Sequence, residues 1–360
     1  MNPQEQVCHN RGCWVYGRVG EGHVVMHSRK EQRYRCKRCG KTFSATKDTA
    51  LYRVHHPHPL LVTVVTLLAY GCPVQAIVAA YGLDERTVAD WQQRAGRQCQ
   101  RVHGQLVQAG QVTLGHVQAD ELWVRAVGTM GKRRAVWLAM AISVTSRLWL
   151  GGVVRERRDH RLIAAVLRHV RACGSVTTLL LCTDGLVSYP RQAKRVFRQA
   201  VRTQQRGRPR LVLPDGLLVA QVVKQYAKRH VRAVAHRVVR GCGGAVAATL
   251  LATQGTATIT TAHIERLNAT FRARLAPLAR RSRATVHQRA TLEQGMWLVG
   301  VVYNCCTPHR SLGGQTPARA AGLTDHCWTI GELLTFPVPL PAVKHRGRPP
   351  TWLREITHAA

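Results

Sequence analysis

The sequence predicts an α/β protein, in which a mixed sheet with helices is preceded by a metal-binding module and a helical segment. Three observations predict this fold class. Cysteines stand in two pairs near the N-terminus, helical patterns follow up to about residue 104, and apolar runs of strand length begin at residue 112. With 360 residues, the chain is long enough for two or three domains.

The charge balance points to a polyanionic partner. The chain has 53 Lys and Arg residues against 18 Asp and Glu residues, which gives a formal net charge of +35. Nucleic acid is the partner that such a balance favours. No apolar run reaches the roughly 18 residues that a membrane-spanning helix needs, and the N-terminus lacks the form of a signal peptide. We therefore expect a cytoplasmic protein without a membrane partner.

The two cysteine pairs predict a zinc ribbon over residues 1–50. Cys8 and Cys13 form the first pair, and Cys36 and Cys39, with two residues between them, form the second in a turn closed by glycine. Four thiolates supply the tetrahedral sulfur set that structural Zn²⁺ prefers. The alternative is four free or disulfide-bonded cysteines. Because the thiolates complete the shell, two nearby histidines are not expected to be ligands: His9 and His23.

Residues 55–104 predict a helix-turn-helix. A helical pattern from Pro73 to Tyr81 is followed by Gly82, and Asp84 is placed to cap a second helix. The exposed side of that second helix is expected to carry the residues that contact DNA: Thr87, Asp90, Gln93 and Arg94. An ordinary helical hairpin is the alternative.

The next segment predicts strands and helices in the order βββαβα. Short connections between the first three strands indicate an antiparallel meander, and Asp159 is placed to cap the helix that follows. The elements are strands over 112–127, 135–142 and 148–154, a helix over 159–171, a strand from Val176 to Asp184 and a helix over 191–201.

The rest of the chain is less regular. Residues 202–258 are interpreted as an insertion with strands over 217–223 and 228–240, and 313–360 as a Pro-rich basic tail. Between them, a helix over 263–275 brings an acid, an amide and a guanidinium to one edge: Glu265, Asn268 and Arg272. Periodicity alone leaves open whether this edge is functional or simply solvated.

Most of the 18 Asp and Glu residues can be assigned structural or loop positions, which leaves few candidates for a catalytic site. Four have a placement on a strand or a helix face that suits chemistry: Asp120, Glu121, Asp184 and Glu265. Carboxylate oxygens bind Mg²⁺, and two such ions support phosphoryl transfer. Because adjacent strand residues point to opposite faces, only one of Asp120 and Glu121 is expected to join the site.

At this point the sequence resembles a known family. The element order and the positions of the acids resemble the RNase H-like catalytic domain of DDE transposases and retroviral-type integrases. Short phrases resemble those of bacterial insertion-sequence transposases, with the zinc ribbon and the helix-turn-helix included: Gln118–Trp123, Thr183–Gly185, Ile264–Asn268, Tyr303-Asn304, Pro308–Leu312 and Thr316–Ala318. The resemblance covers most of the chain.

The resemblance implies a role for each matching residue. Asp120, rather than Glu121, would join Asp184 and Glu265 in a triad that binds Mg²⁺ or Mn²⁺. Asn268 and Arg272 would support the helix that bears Glu265 or touch DNA. The catalytic domain would span residues 112–312, and the long interval between Asp184 and Glu265 requires the insertion at 202–258. Thr307 departs from the pattern, which has a basic residue there.

The expected function is that of a prokaryotic, nucleoid-associated DNA transposase. It would bind terminal inverted repeats, cleave DNA at the element ends and join the ends to target DNA, as at least a dimer. One rival is a zinc-dependent DNA-binding regulator with an inactive RNase H-like domain, and another is a nuclease that does not join strands. His309 is expected to be structural or to contact DNA. Two Arg-Gly-Arg-Pro tetrads resemble minor-groove AT hooks: residues 206–209 and 346–349.

Overall fold

The computed structural model describes residues 2–20, 22–109, 112–127, 133–174, 177–202, 208–227, 230–280 and 284–343. The chain divides into two compact units. One consists of Met1–His58 together with Leu334–Ala360, and the other is Pro59–Leu333. Both Arg-Gly-Arg-Pro tetrads lie wholly or partly outside the described residues.

The first unit contains a small antiparallel sheet. Its strands are β1 (Val24–Ser28), β2 (Arg33–Cys36) and β3 (Thr42–Ser44), in the order β1-β2-β3. Val24, Tyr34 and Phe43 bury their side chains together, with Met26 and Ala45 packed against them. A core of this size contributes little stability by itself.

Three helices open the second unit: α1 (His58–Ala69), α2 (Val74–Tyr81) and α3 (Glu85–Leu106). Gly82 ends α2 in the left-handed conformation, with φ 60°. The Asp84 side chain accepts a hydrogen bond from the Arg86 amide at 2.8 Å, so the predicted cap of the second helix is confirmed.

Helix α3 continues well beyond the predicted recognition segment and packs against α8 (Arg289–Cys306). At Gly96 the two backbones are so close that an added Cβ would lie 2.5 Å from the Gln294 carbonyl oxygen. Near the end of α3, the His103 ring lies 5.0 Å from that of Trp149 and 5.1 Å from that of Trp297. Helix α3 therefore shares a core with Trp149, which opens a strand of the central sheet described next.

The central sheet has six strands, and its first elements follow the predicted βββαβα order. They are β4 (His116–Val127), β5 (Arg133–Ser143), β6 (Trp149–Arg155), α4 (His160–Cys173), β7 (Leu179–Asp184) and α5 (Ser188–Val196). The Asp159 side chain caps α4, as predicted, by accepting from two amides. The mixed α/β topology is compatible with an RNase H-like fold.

The segment interpreted as an insertion supplies two strands of the same sheet. Strands β8 (Gln199–Val201) and β9 (Arg210–Val212) pair only with each other, but β10 (Leu217–Ala227) lies parallel to β7, and β11 (His230–Arg240) pairs with β10. The sheet order is β11-β10-β7-β4-β5-β6. The predicted helix over 191–201 is wrong at its end, because α5 stops at Val196 and residues 199–201 are extended.

The reason for this placement of β10 is its apolar content. Residues Leu217 to Val222 are buried. Leu218, Ala220 and Val222 pack with Leu180 and Cys182 of β7, and α6 (Gly243–Gln254) covers them through two further apolar side chains, Val246 and Leu250. The hydrophobic effect thus draws β10 against β7.

Three more helices follow in the second unit, and the last of them extends past its final residue, Leu333: α7 (Ala262–Arg274), α9 (Pro317–Ala320) and α10 (Ile330–Thr335). Among the described residues, no helix combines the length and the apolar character that crossing a bilayer requires.

Candidate functional site

Two of the predicted acids lie on neighbouring parallel strands, directly after the last residues through which these strands pair. Ala119 of β4 pairs with Thr183 of β7, so Asp120 and Asp184 follow at the same edge of the sheet. One carboxylate oxygen from each, together with one from Glu121, forms a group in which all atoms lie within 4.8 Å of one another. This edge therefore concentrates negative charge.

The third predicted acid reaches the same place from α7. Gln118 of β4 fixes the start of this helix, because its Oε1 accepts from the His263 and Ile264 amides, both at 3.0 Å. Its Nε2 donates to the Thr260 carbonyl at 2.8 Å. Glu265 lies in the first turn of α7, where its Oε1 accepts from the Thr261 hydroxyl at 3.0 Å.

The three acids line one open cavity of about 380 Å³: Asp120, Asp184 and Glu265. The structure thus brings together the residues that the resemblance implied. Glu265 does not belong to the tight oxygen group formed by the two strands. The edge of α7 that periodicity left ambiguous faces this cavity, which also extends into a second space lined by Asn268 and Arg272.

Asp120 is held by two hydrogen bonds. The Asn268 amide group donates to Oδ2 at 2.8 Å, and the Glu121 backbone amide donates to Oδ1 at 2.8 Å. Burial, reinforced by the charges of neighbouring carboxylates, raises the pKa of Asp120 to about 7. The negative form of this carboxyl group is therefore costly until a cation is close to it.

The turn after Asp184 is also fixed. The Leu186 amide donates to Asp184 Oδ1 at 3.1 Å. Gln221 of β10 donates through Nε2 to the backbone carbonyls of Asp184, at 2.7 Å, and of Leu186, at 3.1 Å. The neighbouring strand thus orients the backbone that presents Asp184.

The expectation that only one of Asp120 and Glu121 would lie at the site is wrong, because the carboxylate of Glu121 lies close to those of Asp120 and Asp184. Strand alternation does separate the two side chains, since Asp120 contacts Asn268 whereas Glu121 contacts Arg158, which follows β6. The pairing of β4 with β7 ends at Ala119 and Thr183, however, so no residue of β7 pairs with Glu121. The Glu121 carboxylate therefore approaches those of Asp120 and Asp184.

Arg158 links the two strands through their acids. Its Nε and one terminal nitrogen donate to Glu121 Oε2 at 3.1 and 2.8 Å, and the same terminal nitrogen lies 3.2 Å from Asp184 Oδ2. The Glu121 carboxylate is completely buried, and burial raises its pKa. The Tyr189 hydroxyl is buried beside it, and burial raises the pKa of Tyr189 as well.

A second cation stands on the other side of the cavity. Lys224 of β10 donates to Glu265 Oε1 at 3.1 Å, and this hydrogen bond raises the pKa of Lys224. Sequence reasoning missed three residues of this site: Gln118, Arg158 and Lys224. Gln118 had a usable signal, because it stands two residues before Asp120 and so on the same strand face. Arg158 lies in a run of basic residues and offered no such signal.

The predicted DNA contacts lie in two different environments. Thr87, Gln93 and Arg94, expected on the exposed side of α3, are half-buried, and Arg94 donates to Asp90 at 2.5 Å. Gln93 lines a cavity together with Leu68 of α1 and Leu292 of α8, so this part of α3 is partly covered. Asn268 is 1% exposed and engaged with Asp120. Arg272 lines the second cavity, beside Arg280.

Two remaining predictions concern His309 and the cysteines. His309 packs its ring against Tyr303, with centroids 4.6 Å apart, which agrees with a structural role. The four cysteine sulfurs lie within 4.8 Å of one another: Cys8, Cys13, Cys36 and Cys39. All four are free thiols, so the disulfide alternative does not apply to them.

The environment of the sulfurs suits a metal. Burial raises the pKa of Cys13 to about 11. For Cys39, hydrogen bonds from the Lys41 backbone and from Asn10 overcome the effect of burial and lower the pKa to about 7. Nearby, His9 binds Asp48 at 2.6 Å, so its Nδ1 is engaged outside the cluster. Four converging sulfurs match the ligand set of structural zinc.

Comparisons with known proteins add little to this geometry. No protein-family model matches the chain, and no curated protein matches it. Among solved structures, the chain is similar to one described as the cryo-EM structure of the piggyBac transposase synaptic complex with hairpin DNA. The TM-score is 0.38 at 10% sequence identity, over 83% of this chain and 74% of that chain. This similarity is too low to establish a common fold.

Proposed function

We propose that the chain is a DDE-type DNA transposase, which cleaves DNA at the ends of a mobile element and joins them to target DNA. The observation that carries the proposal is the convergence of Asp120, Asp184 and Glu265 on one open cavity. Cations border that cavity, and the whole chain has a net charge of +35. An acid cluster in so basic a protein suits a metal that faces a nucleic acid.

The donor set fits Mg²⁺ or Mn²⁺, because it consists of carboxylate oxygens, and those of Asp120, Glu121 and Asp184 lie within 4.8 Å of one another. Divalent ions bound there would activate an attacking oxygen and stabilise the leaving one. The protein holds the acids in place for this purpose. Asn268 orients Asp120, and Gln118 fixes the helix that carries Glu265.

The basic residues around the cavity would hold the DNA. Lys224 and Arg272 line its two parts and can each approach a phosphate oxygen. Cleavage breaks a P–O3′ bond when a water oxygen attacks the phosphorus, and it frees a 3′-hydroxyl. That hydroxyl then attacks a phosphorus of the target, and the 3′-oxygen of the target leaves. Since two element ends must be joined, the active form would be at least a dimer.

The other segments receive roles in the same proposal. Residues 1–50 would form a zinc ribbon, and residues 55–104 a helix-turn-helix that reads the terminal inverted repeats. The catalytic domain would cover residues 112–312, and residues 313–360 a basic tail. As a DNA-acting protein of a prokaryote, it would work in the cytoplasm at the nucleoid.

A second candidate is favoured by one specific observation. Asp184 is ion-paired with Arg158 and Glu265 with Lys224, so two acids of the triad already have a cationic partner. A domain whose acids are permanently paired would be inactive. The protein would then be a zinc-dependent regulator that binds DNA and uses this domain for assembly.

Strand joining on DNA that carries the sequences flanking the open reading frame tests the proposal. With Mg²⁺, wild type should give joined products, whereas Asp184→Asn should bind the DNA and give none. Asp215→Asn is a charge-matched control, since Asp215 is an exposed acid outside the cavity. Binding without any product from wild type would support the regulator. Nicked DNA that is never joined would indicate a nuclease.

A further inference from the structure

Strands β10 and β11 continue past the sheet as a two-stranded ribbon. The pairing of β10 with β7 ends at Val222, opposite Asp184, whereas the pairing of β10 with β11 continues to Ala227 and His230. We call residues 224–227 and 230–237 the distal ribbon; its residues 235–237 lie opposite Gln221–Val223, where the ribbon leaves the sheet. All of its residues are exposed, and Lys224 also reaches Glu265 of α7 through a hydrogen bond.

The distal ribbon starts at the acid cavity. Lys224 and Tyr226 belong to the ribbon and also line the cavity that holds the three acids. Tyr226 is 65% exposed. The ribbon thus extends one wall of the cavity outward, in the direction that a long substrate would leave it.

The charge of this region selects the partner. The sequence contains no acid between Asp215 and Glu265, while the distal ribbon carries several basic side chains: Lys224, His230, Arg232, His236 and Arg237. Among the described residues, none forms an ion pair with Arg232 or Arg237. Such charges on an edge strand oppose pairing with the same strand of a second copy. A polyanion has the complementary charge.

The shape of the ribbon favours a double helix. The major groove of DNA, about 12 Å wide, admits a two-stranded β-ribbon. Val231 and Val234 pair with Tyr226 and Lys224, so these four share one face of the ribbon. Val231 and Val234 are each 50% exposed and present apolar surface of the kind that contacts base edges.

We propose that the distal ribbon lies in a groove of duplex DNA beside the acid cavity, with Arg232 and Arg237 on the phosphates. This inference rests on the proposed function, since it takes the duplex to be the substrate of the acid site. It adds a binding surface that is separate from the predicted helix-turn-helix.

The salt dependence of binding tests the phosphate contacts. The full chain is titrated without Mg²⁺ against a fluorescent mixed-sequence duplex at several salt concentrations. The slope of log K against log salt is negative, and the double variant Arg232→Gln/Arg237→Gln should reduce its magnitude by about 1.8, or about 0.9 per lost contact. Arg232→Lys/Arg237→Lys should keep the wild-type slope, because each Lys retains the charge.

A matched control loses the same charge elsewhere. Arg161 and Arg168 are exposed on α4, which packs against β5 and β6 at the opposite edge of the sheet. Arg161→Gln/Arg168→Gln should leave the slope at the wild-type value. An equal loss in both Gln variants would mean that only the overall charge matters, and the proposal would be wrong.

Photo-cross-linking tests the location. Benzoylphenylalanine at Val234 should cross-link to the duplex, while the same group at Leu211, which is 52% exposed on β9, should cross-link much less. Absence of a cross-link from Val234 would overturn the proposal. These measurements of binding do not require catalysis. They can therefore refute the ribbon proposal independently of the transposase proposal, which is refuted by the absence of strand joining with Mg²⁺.

Discussion

The four-cysteine cluster and the acid cavity are both candidate metal sites, but they are built in opposite ways. Three of the four cysteines are almost completely buried, and all belong to one small unit. The acids of the cavity come from two strands and a helix and face an open space, and Asp184 and Glu265 have cationic partners. A closed shell suits a structural ion, whereas an open one leaves room for a substrate.

The first prediction from this comparison is that the unit containing the cysteine cluster needs bound zinc to stay folded. Cys36→Ser, or removal of zinc by a chelator, should unfold residues 2–57, because zinc contributes about 10–16 kcal/mol to the folding of comparable small zinc domains. Limited proteolysis of the full chain, with zinc content measured in parallel, checks this. Cys242→Ser is the control, since Cys242 is exposed and outside the cluster. Unchanged resistance to protease after complete zinc loss would contradict it.

In the acid cavity, the largest effect on stability is expected from Arg158. Arg158→Ala leaves the buried Glu121 carboxylate without its partner. Breaking a buried ion pair costs about 3–5 kcal/mol, and we expect the lower end because the Arg158 side chain is 35% exposed. Urea unfolding of the variant measures the loss. Arg157→Ala removes the exposed neighbouring charge and should change stability by less than about 0.5 kcal/mol.

The same contrast explains what the sequence could predict. The cysteine spacing is local, so it identified the four sulfurs directly. The acids required a topology, and the element order βββαβα was sufficient to place Asp120 beside Asp184. Glu265 could not be placed by periodicity, because the contact that positions its helix comes from Gln118, far away in the chain.

Other features depend on packing that the sequence does not display. The apolar run of β10 is compatible with an insertion and with a strand of the central sheet. Its contact with β7 and α6 shows that it belongs to the sheet. The exposure of Thr87 and Gln93 depends on how α3 packs, which helical periodicity does not reveal. The proximity of Glu121 to the site depends on where the pairing of β4 with β7 ends, which alternation along a single strand does not reveal.

A smaller effect concerns pH and sets the acid cavity apart from the cysteine cluster. The pKa of Asp120 is about 7, so below this value its carboxyl group is protonated and must lose a proton to bind a cation. Mg²⁺ affinity should therefore rise about tenfold per pH unit up to about pH 7 and then level off. Calorimetric titration of Mg²⁺ at several pH values measures it. In Asp120→Asn this dependence should disappear, and a pH-independent wild-type affinity would refute the assignment.

The smallest effect is expected from Gln118, which distinguishes a positioning contact from a merely stabilising one. Gln118→Ala removes the acceptor for two amides at the start of α7, at a cost of about 1 kcal/mol, as for other helix caps. Asp159→Ala removes the cap of α4 at a similar cost, but α4 carries none of the three acids. Strand joining at saturating Mg²⁺ should fall in Gln118→Ala and remain near wild type in Asp159→Ala. Equal activities in two equally destabilised variants would show that Gln118 does not position Glu265.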